Sequence, residues 1–434
     1  MVPPSRGHGS ASPAAAPELP SSVLTAPTVD LLRVSTVPVA DPGPLLDLLP
    51  EQGALAWVSG GEGLVGWGAA ARIELDGPDR FDAAQQWWSA VTAAATVHDE
   101  VQLPGTGLLA FGSFAFDARA ATSVLVVPEV AVGHRDGTWW VTTTGQTPAD
   151  LPRRSEPRAS GEVRFSDGSR TPTEWMAAVA DAVRRIDRGS VEKVVLARDV
   201  EVHTARPVDV RWPLRQLARD YPGCWTFAVD GLLGATPEML VRLRDGVATS
   251  RVLAGTLRRS GDANRDVRQG NAFARSIKDI EEHGYGVGSV AEALALHCNP
   301  VEVPADPFVL ELPNVMHLAS DVRGVVVDGS TSLGLVASLH PSAAVCGTPT
   351  AVALGLIRGI EGLDRGRYAG PVGWLDASGD GEWGIALRCG QLDPQDPCRV
   401  RLFAGCGIVS GSQPELELAE SVAKLVPMRD ALQG

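Results

Sequence analysis

Residues 402–425 read LFAGCGIVSGSQPELELAESVAKL. An apolar run, Leu402–Ala404, meets two glycines, Gly405 and Gly407, then a polar turn, then a segment with helical spacing. The glycines let backbone N–H groups come close to an anion, although a plain tight turn would read the same way. Ser412 suits a helix cap and Pro414 a first helical turn. At about 100° per residue, Glu417, Glu420 and Lys424 fall at i, i+3 and i+7 on one face. Leu418, Val422 and Leu425 fall on another face and are expected to pack inward. A solvated face with a Glu420–Lys424 pair has this pattern. So do two carboxylates converging on a hard cation.

Upstream, the chain keeps mixing the two periods. Ala54–Ser59 and Gly107–Phe114 read as strands, and Phe81–Thr96 as a helix carrying Trp87 and Trp88. Residues 143–172 are polar and Pro-rich, with five Arg, and read as a linker or long surface loop. A capping pattern at Thr173 opens a helix through Ile186, and Arg188-Gly189 stops it. KVVLARDVEV, WTFAV and EMLVRL read as strands. Helices are expected near 272–298, 331–339, 349–360 and 414–432, and strands at 369–375, 383–390 and 399–403. Runs of strands punctuated by helices predict an α+β fold rather than an alternating parallel one. No GxGxxG lies between a strand and a helix, so a dinucleotide fold is excluded.

Of the 434 residues, 44% are hydrophobic, ample for a large core. The 38 Lys+Arg against 52 Asp+Glu leave a net charge of −14, which argues against nucleic acid and against anionic membranes as partners. An anionic small substrate would need local cations. The six cysteines form no CxxC pair and sit at no zinc spacing. Scattered single cysteines suit a reducing compartment. No run approaches the roughly 18 apolar residues of a membrane helix. Residues 1–28 begin as a Pro/Ala/Ser-rich stretch without an apolar core and read as a disordered tail. A cytoplasmic protein is expected.

Further polar candidates are scattered. In SIKDIEEHGYGV, Asp279 and Glu282 share a helical face beside His283. If that helix meets the one at 414–432, oxygen ligands from both would suit Mg²⁺, because carboxylates brought together without a cation repel. Arg388 sits in the apolar strand EWGIALRCG and needs an acidic partner, from the protein or from a substrate. Lys193 opens a strand, Glu238 follows Pro237, and His340 precedes a proline; each taken alone is ordinary.

Taken in order, nine segments resemble the chorismate-utilising enzymes, the family of isochorismate, anthranilate, aminodeoxychorismate and salicylate synthases. They are EKVVLAR (192–198), GATPEMLVR (234–242), LAGTLRR (253–259), KDIEEH (278–283), NVMHLASDVRG (314–324), SLHPSAAVCGTPT (338–350), DRGRYAGPVGW (364–374), GEWGIALRC (381–389) and residues 402–425. GEGLVGWG (61–68) is similar to the N-terminal region of isochorismate synthases. The resemblance implies one large α+β unit over 29–434, an N-terminal portion at 29–150 and a catalytic core at 173–432. Antiparallel sheets would be flanked by helices with the site between them, making 143–172 a loop.

The lysine at 193 resembles isochorismate and salicylate synthases, where it activates water, whereas anthranilate synthases typically carry Gln there. Ala254 stands where aminodeoxychorismate synthases place a nucleophilic lysine. By resemblance, Lys193 is the general base and Glu238, kept protonated, the acid that donates to the leaving C4 hydroxyl of chorismate. Mg²⁺ would be held by Glu282 and Glu420, with Asp279 and Glu417 on its waters and Lys424 steadying the carboxylates. Arg388, Tyr368 and the Gly405 and Gly407 amides would hold the enolpyruvyl carboxylate. Ala254, Gly255, Thr256, His340, Gly347 and Thr348 would line the ring pocket. Cys406 departs from the expected Ala. The activity implied is isochorismate formation, feeding menaquinone or siderophore synthesis, in a monomer without a glutaminase subunit. Salicylate synthesis and non-catalytic chorismate binding are the alternatives.

Overall fold

The computed structural model describes residues 32–119, 121–145, 151 and 155–433, without the side chains at 254, 256, 258, 263, 277–279, 281 and 282. Among the described residues the strands form two sheets, one of 13 strands and one of 10, with helices around them. Pairing is antiparallel except where Leu32–Pro38 lies beside Ala95–Asp99. The α+β expectation holds. In the larger sheet, strands from residues 32–144 continue through Trp225–Val229 and Leu232–Thr236 to Arg399–Ile408 and Lys193–Thr204. Trp57 from this sheet meets Phe111, Trp374 and Trp383 from the smaller sheet in a common buried cluster. A second cluster, with Leu214, Leu402, Leu425 and Met428, lies under the helices Arg211–Asp220 and Pro414–Gln433.

Lys193–Thr204 is anchored by the helix Pro172–Asp187, whose buried Trp175, Ala178, Val179, Ala182 and Ile186 recur at helical spacing. Trp175 Nε1–H donates to Ala197 O at 2.9 Å. The cap is Thr171, not Thr173. Thr171 Oγ1 accepts from Glu174 N–H, and Glu174 reaches back to Thr171 N–H, with Pro172 in the first turn. The expected linker also contains a strand, Val163–Asp167, which pairs with Lys193–Thr204.

Two further expectations shift. The helix at the C-terminal end begins at Pro414, so Gln413 occupies the cap position, and Ser412 Oγ instead accepts from Val409 N–H at 3.2 Å. Val422 is exposed, whereas Leu425 packs inward as expected. The expected strand 383–390 is two strands, Gly381–Ile385 in the smaller sheet and Cys389–Leu392 in the larger. Arg388 stands between them at φ 49°, where the chain changes sheets.

Candidate active site

A cleft of ≈ 210 Å³ opens where chain segments cross between the sheets. Glu238 sits at one crossing, between Leu232–Thr236 of the larger sheet and Met239–Arg244 of the smaller. Its N–H donates to Thr236 Oγ1 at 3.2 Å, and its carbonyl accepts from Ile385 N–H at 3.1 Å. Arg388 sits at the other. An arginine held at positive φ is strained backbone, a state that persists where surrounding contacts enforce it.

Lys193 and Val195 line the cleft from one strand, and Gly405 and Gly407 from the next. The register explains this: Val195 is opposite Gly407 and Ala197 opposite Gly405, so residues two apart share a face. A Cβ on Gly405 would lie 3.0 Å from Leu196 O and 3.1 Å from Tyr368 Oη, so only glycine leaves this wall open. Tyr368 lines the cleft and stacks on Phe403 at 5.2 Å between centroids.

Lys193 is 3% exposed and Glu238 5%, and both line the cleft. Burial pushes the Glu238 carboxyl up to about 8, against the opposing pull of Lys193, Arg388 and Lys424. Glu238 is therefore a proton donor at neutral pH, close to cations yet still protonated. Opposite it stands the helix Pro414–Gln433. Lys424 Nζ lies 2.6 Å from Glu420 Oε1 and donates to Gly405 O at 2.9 Å. Burial opposes the Lys424 charge, but Glu420 outweighs it and holds its pKa above the ordinary lysine value.

Glu417, Glu420 and Cys406 each present a ligand atom, all within 4.8 Å of one another. Burial keeps the Cys406 thiol far above its ordinary pKa, so the donors this group offers are two carboxylates. An oxygen pair of that kind fits a hard divalent cation. Asp279 and Glu282 lie on the helix Ile277–Ala295, and Ala254 and Thr256 on the strand Val247–Arg258; their side chains are outside the described residues. Gly255 between the last two lines the cleft.

Of the expected ring-pocket residues, His340, Gly347 and Thr348 are not among those lining the cleft. His340 Nε2–H donates to Phe116 O at 3.0 Å, and burial lowers its pKa to about 3. Gly347 and Thr348 pair with Val194 and Lys193, so they brace the lysine's strand along its edge. Position 347 needs glycine: its φ is 137°, and a Cβ would stand 2.2 Å from Lys193 O.

His317 and Arg365 are polar lining residues that sequence reasoning missed. His317 accepts from Arg388 Nη2 at 3.2 Å through Nε2, and its Nδ1–H donates to Gly255 O at 2.9 Å. Since a carbonyl only accepts and a guanidinium only donates, the tautomer is decided. Burial, helped by Arg388, lowers its pKa to about 3, so it is neutral. NVMHLASDVRG contains it, but a single histidine in an apolar strand gives no local signal of a partner 71 residues away.

The cleft thus gathers three cations, Arg365, Arg388 and Lys424, beside the Lys193 amine, inside a chain of net charge −14. Arg365 is held by Glu361 at 2.6 Å. The arrangement can bind a compact carboxylic acid, donate a proton from Glu238 and accept one at Lys193.

Residues 52–433 match the model of the chorismate binding enzyme family. Isochorismate synthase DhbC of Bacillus subtilis is 38% identical over 273 residues, 60% of this chain and 68% of that protein. The salicylate biosynthesis isochorismate synthase of Pseudomonas aeruginosa is 35% identical over 406 residues, 85% of this chain and 82% of that one. The solved structure of MenF, the menaquinone-specific isochorismate synthase from Escherichia coli, is 25% identical with a TM-score of 0.77, covering 93% of this chain and 95% of that one. With the family's sequence pattern spanning residues 52–433 and its fold shared, the chain belongs to the chorismate-binding enzymes.

Proposed function

We propose that this chain is an isochorismate synthase, converting chorismate to isochorismate by adding water at C2 and releasing the C4 hydroxyl, and feeding menaquinone or siderophore synthesis. The observation that carries the reading is the pair of buried groups of opposite chemistry, Lys193 and Glu238, in a single cationic cleft. Relatives named isochorismate synthase over most of this chain's length support it.

Arg388, steadied by neutral His317, receives the enolpyruvyl carboxylate together with Tyr368 and the glycine strand. Lys193 takes a proton from water as its oxygen bonds to C2. The ring double bond shifts, and the C4–O bond breaks. Glu238 gives its proton to that oxygen, which leaves as water. Lys193 ends charged and Glu238 ionised, and one proton returned between them resets the site.

Mg²⁺ would be held by Glu420 and Glu282, with Glu417 and Asp279 on its waters. When bound it offsets the negative charge of the ring carboxylate. The same reading takes residues 29–434 as one unit, cytoplasmic, monomeric and acting without a glutaminase subunit.

The test is incubation of the purified chain with chorismate and Mg²⁺, with products resolved by HPLC. Isochorismate at equilibrium with chorismate, without pyruvate and lost on adding EDTA, is expected. Salicylate with pyruvate would overturn the isomerase reading in favour of a lyase. No turnover would leave only chorismate binding. Lys193→Ala is expected to cut turnover by about 10²–10⁴-fold while chorismate still binds by calorimetry.

A further inference from the structure

On the molecular surface, away from the residues that line the cleft, three side chains form a relay. Ser338, exposed near the end of the helix Ser332–Leu339, places Oγ 2.6 Å from His297 Nε2. His297 Nδ1 lies 2.7 Å from Asp328 Oδ2 and 3.0 Å from Ser330 Oγ. The other carboxylate oxygen of Asp328 accepts from Ser330 N–H at 2.9 Å. Hydrogen bonds from His297 and then Ser330 hold the Asp328 carboxyl down at about 2, so it is a carboxylate across the neutral range. A carboxylate only accepts, so Nδ1 carries a proton, and in the neutral ring the Nε2 lone pair then faces the Ser338 hydroxyl, which also contacts Gly334 O at 3.5 Å.

The backbone fixes this geometry. His297 N–H donates to Leu294 O at 3.0 Å, just beyond the helix Ile277–Ala295. Val327 N–H, next to Asp328, donates to His297 O, also at 3.0 Å. Beside the histidine and the aspartate stand Leu296, 74% exposed, and Val327, 65% exposed. A hydroxyl hydrogen-bonded to an imidazole, itself oriented by a carboxylate, is the constellation that activates a serine.

We propose that Ser338 is a second nucleophilic centre, which accepts acyl groups from activated esters. Its Oγ bonds to the ester carbonyl carbon as Nε2 of His297 takes the hydroxyl proton. The bond from that carbon to the leaving oxygen breaks, an aryloxide departs, and the imidazolium returns its proton to solvent. Asp328 is a positioning residue that stabilises the charged imidazole. Ser338 opens to solvent, so water meets the developing oxyanion, and the reaction is confined to donors whose leaving group departs unaided. This centre does not depend on the proposed chorismate chemistry.

The experiment uses the full chain and p-nitrophenyl acetate, following p-nitrophenolate release and mapping the acetylated peptide by mass spectrometry. One acetyl group on Ser338 is expected. Ser338→Ala should abolish that label and leave chorismate turnover unchanged. His297→Gln and Asp328→Asn should each slow labelling by about tenfold or more. Acetylation that stays on His297 or on lysines, a label that persists in Ser338→Ala, or labelling at the wild-type rate in His297→Gln would each overturn the proposal.

Discussion

Replacing Glu238 with Gln tests the acid at the centre of the proposed chemistry through two independent readouts. Burial raises this carboxyl from 4.5 to about 8. Between those values the folded chain holds a proton that the unfolded chain releases. Stability from this group is fully present below 4.5, falls as pH rises, and is lost once pH passes about 8. The slope is about 1.4 kcal/mol per pH unit, so the whole shift corresponds to roughly 5 kcal/mol, an upper bound because water entering the cleft would relax it. Glutamine has nearly the same shape and does not titrate. Every other group is common to both proteins and cancels in the difference between them. From pH 5 to pH 7.5, wild type should therefore lose about 3 kcal/mol relative to Glu238→Gln. Urea unfolding of both proteins at the two pH values, followed by tryptophan fluorescence, measures this. A pH-independent difference would refute the protonated, buried acid. In turnover, Glu238→Gln should lose about 10²–10⁴-fold. The wild-type rate should fall about tenfold per unit above pH 8, as the donor ionises. Near-normal turnover by Glu238→Gln would refute its role as acid.

Gly347→Ala should lower stability by about 2 kcal/mol or more and reduce kcat as Lys193 is displaced, because a Cβ there stands 2.2 Å from Lys193 O at φ 137°; an unchanged Tm and kcat would contradict that close approach. His317→Leu leaves the Gly255 carbonyl and one Arg388 N–H without this partner. A loss of about 1–3 kcal/mol is expected, together with a KM for chorismate raised more than kcat is lowered, measured by steady-state kinetics. Glu420→Gln should weaken Mg²⁺ binding on the order of tenfold or more in calorimetry of the substrate-free protein, whereas unchanged affinity would remove Glu420 from the ligand set.

How much of the site was legible varied with the range of the physics involved. The strand and the helix of residues 402–425 follow from local period, and the structure keeps both, but Gly405 and Gly407 lie inside the strand Arg399–Ile408 rather than in a turn. The cap of the helix Pro172–Asp187 was legible too: Thr171 and Glu174 have the spacing of a capping box, which Thr173 lacks. Arg388 was harder. Its segment reads as one apolar strand, yet the chain changes sheets there, because Gly381–Ile385 finds partners at Pro371–Asp376 and Met239–Arg244, while Cys389–Leu392 finds them at Leu232–Thr236 and Arg399–Ile408. His340 reads as a site residue from its motif, but its ring is turned to Phe116 O.

The sequence by itself determined the elements, the residue types of the cleft and the family, because helix and strand periods, caps and motif order are written in neighbouring residues. The tertiary structure alone decided that Glu238 is protonated, that His317 is neutral and joins Arg388 to Gly255, and that Gly347 and Thr348 pair with Val194 and Lys193. Those properties depend on desolvation and on partners tens to hundreds of residues away, and neither exists until the two sheets close on each other.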